Sequence, residues 1–270
     1  KEKRNKESVN RKMKTKNYSK DLSFSGKNII IIFFLLISIV MHSQVKVNFT
    51  PRKPIASPST SIYNIKGDFT LIGNTNLTLN NYDVNEANSN NNMIYVDIDS
   101  DSNTFNSSSA NLTFSTENGA VPECSKVVFA GLYWTGRSSN DSNSPDIFNV
   151  TKNSVTKTFN KRKVKLKGPT SSSYTEITAN TNNIYYPQNS DGFMYSAFAE
   201  ITEYVKVNGI GKYTVADIAL VEGNGGSTGY YGGWGIIVVY ENSKMKWRDI
   251  TVFDGHAYVQ GNSNLSHQIP

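Results

Sequence analysis

The sequence predicts an all-β fold, a β-sandwich or jelly roll with at most one short helix. Three observations predict it. Short runs rich in Val, Ile, Thr, Tyr and Phe recur along the chain, bounded by Asn, Ser and Gly turns. Two of these runs, 127–134 and 234–240, are almost wholly apolar, as the central strands of a packed sheet are. No self-similar period of about 20–50 residues, the mark of solenoids and propellers, is visible.

Taken in order, the chain opens with a leader. Residues 1–27 carry ten Lys/Arg and three Asp/Glu, and residues 29–40 follow as an apolar run of twelve interrupted only by Ser38. A spanning helix needs about 20 such residues. A basic segment, a short apolar run and a small residue are the parts of a secretory signal, so 1–43 reads as a signal peptide cut after Ser43. Residues 44–66, dotted with Pro and Ser, read as an extended lead-in. Residues 67–270 read as the sandwich module, truncated at its C-terminus, which makes the chain the N-terminal piece of a longer protein. Its strands are expected over 68–72, 76–82, 93–99, 110–115, 125–134, 147–158, 163–167, 174–179, 211–221, 233–240 and 247–253. One helix is expected over 197–205, where Phe198, Ile201 and Val205 recur at spacings of three and four.

Charge excludes one class of partner. Ten of the 28 basic and three of the 22 acidic residues fall within 1–43, which leaves 18 against 19 and a formal net of −1. The basic footprint that nucleic acid requires is therefore missing from the folded part. Cys124 is the sole cysteine, so no internal disulfide is possible. A lone cysteine beside a core strand is expected to be buried and inert.

Several motifs invite chemistry. Asp97, Asp99, Asp101 and Asn103 alternate as D-x-D-x-D-x-N, the spacing with which a tight loop gathers oxygen ligands for Ca²⁺. Ser102 stands where a helix-loop-helix calcium loop needs Gly, and Ser108 where it needs Glu. The competing reading is a strand end with carboxylates on its wet face. Residues 225–229 fit G-x-S-x-G, but a nucleophile elbow needs a helix after it, and Tyr-Tyr-Gly-Gly-Trp reads as a turn into a strand. A Gly-rich hairpin loop is the expectation. Lys163, Lys165 and Lys167 alternate with Val164 and Leu166, as on a Lys-guarded edge strand or a stripe for acidic polysaccharide. The pairs Tyr185-Tyr186 and Tyr230-Tyr231 lie in expected loops and are the candidate ligand contacts, one of each pair packing inward. Trp134 and Trp234 are expected in the core. His256 and His267 are the only histidines beyond the leader, so no catalytic residue and no His/Cys metal cluster is nominated.

The stretches 95–114, 124–136, 213–216, 232–240 and 248–255 (YVDIDSDSNTFNSSSANLTF, CSKVVFAGLYWTG, YTVA, GGWGIIVVY and RDITVFDG) together resemble the N-terminal module of very large surface proteins of gliding Bacteroidetes, adhesins exported by the type IX secretion system. The resemblance spans most of 67–255. It implies a non-enzymatic module of a secreted, cell-surface adhesin in attachment or gliding motility. Its partners would be downstream domains of the same chain, the secretion machinery and surface polysaccharide or other glycans. The alternatives are a purely structural cap of a surface filament and an extracellular hydrolase acting on polysaccharide.

Overall fold

The computed structural model describes residues 44–55, 59–138, 145–187 and 193–258. The expected leader, its apolar run and His267 lie outside them. In chain order the strands are β1 (Gln44–Pro51), β2 (Tyr63–Thr75), β3 (Leu77–Leu79), β4 (Asn92–Tyr95), β5 (Ser107–Leu112), β6 (Lys126–Arg137), β7 (Ile147–Lys152), β8 (Val155–Asn160), β9 (Lys163–Lys167), β10 (Thr175–Thr178), β11 (Ile184–Tyr185), β12 (Met194–Glu200), β13 (Gly211–Ala216), β14 (Gly223–Asn224), β15 (Tyr231–Glu241), β16 (Trp247–Ile250) and β17 (Phe253–Tyr258). One helix, α1 (Thr202–Asn208), lies between β12 and β13.

Alternation along two strands builds the main layer. In β15, Trp234, Ile236, Val238 and Tyr240 point one way and are buried. In β6, Ala130, Leu132 and Trp134 do the same, and register sets Trp234 opposite Trp134 and Ile236 opposite Leu132. These two strands are the centre of a six-stranded antiparallel sheet of order β11-β12-β6-β15-β2-β16. A four-stranded sheet of order β10-β9-β13-β5 faces it. Leu112, Val164, Leu166, Tyr213 and Val215 from that sheet share one core with the Trp134 and Trp234 rows, which makes the fold an all-β sandwich. The smaller pieces are β14-β4-β3, the β7-β8 hairpin and the β1-β17 ribbon.

The core is crossed by a satisfied polar network. The Asn76 amide donates to Asn106 Oδ1 at 2.8 Å and to the Val215 carbonyl at 3.0 Å, and Asn76 Oδ1 accepts from Ser108 Oγ at 2.6 Å. Trp234 Nε1 donates to Ser108 Oγ at 2.8 Å. Buried amides need such partners, and here they tie β5 and β13 to β15 and to the turn that leads into β3.

Four expectations change. The helix expected over 197–205 is the end of β12 followed by α1. Tyr195, Ala197 and Ala199 alternate into the core, whereas Phe198 points to the other face and only Ile201 and Val205 follow a helical spacing. The run 147–158 is two strands, because Asn153 and Ser154 turn the chain with φ of 50° and 65°. Two consecutive positive φ values are the signature of a two-residue hairpin turn. Cys124 is exposed, since it ends a short 3-10 turn (Pro122–Cys124) before β6 begins. Finally, the lead-in is extended, but it does not stand apart: β1 pairs antiparallel with β17, and 63–66 belong to β2.

Candidate functional site

The six-stranded sheet has a second face, turned away from the sandwich core. Register places its side chains in rows. Tyr185, Ser196, Thr135 and Gly233 form one row from β11 to β15. Phe198, Tyr133, Gly235 and Gly73 form the next, running on to β2. Above these rows lies the β1-β17 ribbon. Between ribbon and sheet is a groove of about 990 Å³, lined by Val47 and Phe49 of β1, Asp254 and His256 of β17, and the sheet side chains Tyr133, Tyr185, Ser196, Phe198 and Tyr231.

An isolated two-stranded ribbon is marginally stable in water, so contacts to the sheet must hold this one. One end is clamped by Arg52, whose guanidinium meets the Asp254 carboxylate at 2.6 and 2.7 Å. The guanidinium lies 4.0 Å from the centre of the Phe198 ring, within cation–π range. Tyr133 donates its hydroxyl to Asp254 at 2.7 Å. Burial first, then the neighbouring carboxylate, pushes the Tyr133 phenol far above its ordinary range and keeps it a donor. Further along, His256 Nδ1 and Ser196 Oγ are 2.7 Å apart, and the His256 ring stacks on Tyr185 at 5.4 Å between centres. At Gly255 the two ribbon strands come so close that a Cβ would sit 2.7 Å from the Val47 carbonyl.

The four tyrosines singled out by sequence divide by face. Tyr185 and Tyr231 line the groove. Tyr186 and Tyr230 pack against the sandwich core. Tyr186 donates to Asp146, and Arg137 lies 5.3 Å from the Tyr230 ring centre. One of each pair thus turns inward, as pleating requires.

The acidic loop has different work. The Ser107 hydroxyl sits between Asp97 Oδ1 at 3.1 Å and Asp99 Oδ1 at 2.8 Å, and Tyr174 donates to the other Asp99 oxygen. Burial raises the Asp99 carboxyl, but the bonds from Tyr174 and Ser107 outweigh it and leave the group below its ordinary value. Asp101 accepts from the backbone and side-chain N–H of Asn103, both at 2.9 Å, which lowers it too. The Asn103 carbonyl takes the ammonium groups of Lys157 and Lys165 at 2.7 and 2.9 Å. Those two lysines also pair with Asp217 at 2.5 and 3.0 Å. Among the described residues no three His, Cys, Asp or Glu side chains converge on one point.

The Lys stripe is corrected by topology. β9 is flanked by β10 and β13 and is no edge strand. Lys163 pairs with Glu176 at 2.8 Å, Lys165 with Asp217, and the Lys167 ammonium lies 5.7 Å from the centre of the Tyr174 ring. All three cations therefore have internal partners.

The G-x-S-x-G segment is a turn from β14 into β15, with no helix after it. The Arg137 guanidinium holds it by the Gly225 and Gly229 carbonyls, at 2.7 and 3.2 Å. The strands it joins lie in different sheets, so it is not a hairpin loop. The serine that meets a histidine is instead Ser196, which sequence reading passed over. It sits in mid-strand, paired on both sides, and the acid two residues from His256 is committed to Arg52 and Tyr133. Asp254 is the one carboxylate among the described lining residues, whereas most glycoside hydrolases use two. Arg52 and Ser196 were not singled out. The nearest signal was the polar/apolar alternation of 44–49 (QVKVNF), which marks that segment as a strand.

No protein-family model, curated protein or solved structure matches the chain.

Proposed function

We propose that the chain is a non-enzymatic module of a large, exported cell-surface adhesin, and that the groove under the ribbon is where it contacts what it attaches to. The observation that carries this reading is the groove itself: one member of each tyrosine pair, Tyr185 and Tyr231, beside a floor in which Ser196, Thr135, Gly233 and Gly235 leave room next to Tyr133 and Phe198. Partly exposed tyrosines give contact area with little entropy to lose, and they are favoured at binding sites for that reason. Export rests on the expected leader, and the adhesin context on the family resemblance.

The test is attachment of cells whose protein carries Tyr185→Ala and Tyr231→Ala together. Loss of attachment with an unchanged melting temperature is the expected result. Normal attachment with both rings gone counts against the groove as the contact site. A second reading, a ligand-free structural cap, draws on the pairing of β1 with β17, which closes the first described strand onto the last. It predicts the opposite pattern: the tyrosines are dispensable, and Asp254→Asn, which loosens the clamp, impairs the parent protein.

A further inference from the structure

We infer that the groove binds an uncharged polysaccharide chain, laid across the outer sheet face between Tyr185 and Tyr231. This rests on the reading that the groove is the contact site, and it adds the chemical class of what enters.

The first argument is the shape of the floor. Tyr185 stands on β11 and the strand of Tyr231 is three strands away, a span of about 14 Å at ordinary strand spacing. Between them one row consists of Ser196, Thr135 and Gly233, and in the next row Phe198 and Tyr133 give way to Gly235 and Gly73. A trough whose floor is bare on the β15 side, next to Tyr133 and Tyr231, accepts flat rings, whose C–H faces stack on tyrosine.

The second argument is charge. Arg52 and Asp254 neutralise each other inside the groove, and Lys53, at the exposed rim, is the one further charged residue among the described residues lining it. An acidic chain would therefore find a single rim cation. The lysines of β9, which an acidic polysaccharide would otherwise prefer, already have internal partners.

The third argument weighs against a peptide laid along the floor. Peptides add to sheets along open edges, where backbone groups wait for partners. The floor of this groove is a sheet face in which β12, β6 and β15 are paired on both sides. A peptide lying on that face would bury amides without partners, and the open edges at the groove, those of β11, β1 and β17, lie beside the floor. Sugar hydroxyls meet exposed side-chain oxygens, here that of Thr135, and water instead.

Gly235 supplies the test. A Cβ there meets only the Ile72 carbonyl at 3.6 Å, an ordinary contact, and Val suits a strand, so Gly235→Val fills the floor while the sheet survives. The full chain is run through native gels containing laminarin, xylan or galactomannan, which are neutral, or alginate, which is acidic. We expect retardation by at least one neutral polysaccharide and none by alginate. Gly235→Val should weaken the retardation at least about tenfold at an unchanged melting temperature. Tyr231→Ala carries the same expectation and decides the matter if Gly235→Val melts early. Retardation by alginate alone, by no neutral gel, or undiminished in both variants overturns the inference. Cell attachment separates it from the broader reading. Attachment lost in Gly235→Val without any neutral retardation removes the polysaccharide and keeps the groove. Neutral retardation with normal attachment keeps the polysaccharide and removes the adhesive role.

Discussion

Lys161 is fully buried, and replacing it with methionine removes a charge from the sandwich while keeping most of the volume. Its ammonium faces the rings of Tyr195, Tyr186 and Phe148 at 5.6, 5.7 and 5.9 Å, and its hydrogen bond to the Phe193 carbonyl is long at 3.5 Å. Burial pulls its pKa down from 10.5 to about 8, against a smaller upward pull from Asp146. A fall of that size corresponds to about 3 kcal/mol of penalty on the charged form. The three rings return roughly 1–2 kcal/mol of it through cation–π attraction. Below pH 8 the group is charged in both folded and unfolded chains, so the penalty is present in full. Between pH 8 and 10.5 the unfolded chain binds a proton that the folded chain lacks, and stability rises with pH as the penalty fades. Lys161→Met should therefore be more stable than the parent at pH 7 by about 1–2 kcal/mol, a rise in Tm of roughly 2–8 °C. The advantage should shrink by pH 10.5. Guanidinium denaturation followed by tryptophan fluorescence reads both points, with Trp134 as the reporter, since its Nε1 donates to the Lys161 carbonyl at 2.8 Å. Other titrating groups are common to both proteins and cancel in the difference. A variant less stable at pH 7, or a difference that does not move with pH, refutes the argument.

Three further predictions follow from local geometry. Asn76→Ala strips the partners from buried Ser108, Asn106 and Val215 groups and should cost about 2–4 kcal/mol, read from the denaturation midpoint at constant slope. Ser154→Gly removes a side chain from a position with φ of 65° and should stabilise the hairpin by up to about 1 kcal/mol; a lower midpoint would mean that the serine makes a contact worth more than its strain. Millimolar Ca²⁺ should leave the melting temperature unchanged, because Ser107, Tyr174 and Asn103 already bond the carboxylates of the acidic loop. A rise that Asp99→Ala abolishes would instead establish a calcium site.

The sandwich core was legible because it is written in single strands. Each of β6, β9 and β15 carries its own alternation or apolar run, so its place follows from local pattern alone. Errors arose where two periods overlap. Residues 194–208 hold a period of two and then a period of three to four, and Phe198 satisfies either one depending on which neighbours are counted. The Pro and Ser of 51–60 likewise masked the alternation just before them, and β1 passed as a lead-in. Cys124 shows the limit of reasoning from a neighbouring strand, since two residues suffice to carry a side chain out of the core.

The groove is a different kind of object. Its walls come from 47–53, 133–135, 185–187, 194–198, 231–235 and 254–258, six segments brought together only when the six-stranded sheet forms and the ends of the described chain pair above it. No spacing rule links Arg52 to Asp254 across 202 residues, yet that pair holds the ribbon that makes a sheet face into a groove. Tyrosine content pointed toward contact chemistry, and pleating told that only one ring of each pair could face out. Which two rings meet, and over what floor, depends on the register of β12 against β6 and of β6 against β15. A one-residue slip of β15 would turn Tyr231, Gly233 and Gly235 into the core and bring Trp234 and Ile236 out over the trough. The apolar row that packs the sandwich therefore also fixes the bare row of the groove, so core and site are two faces of one register.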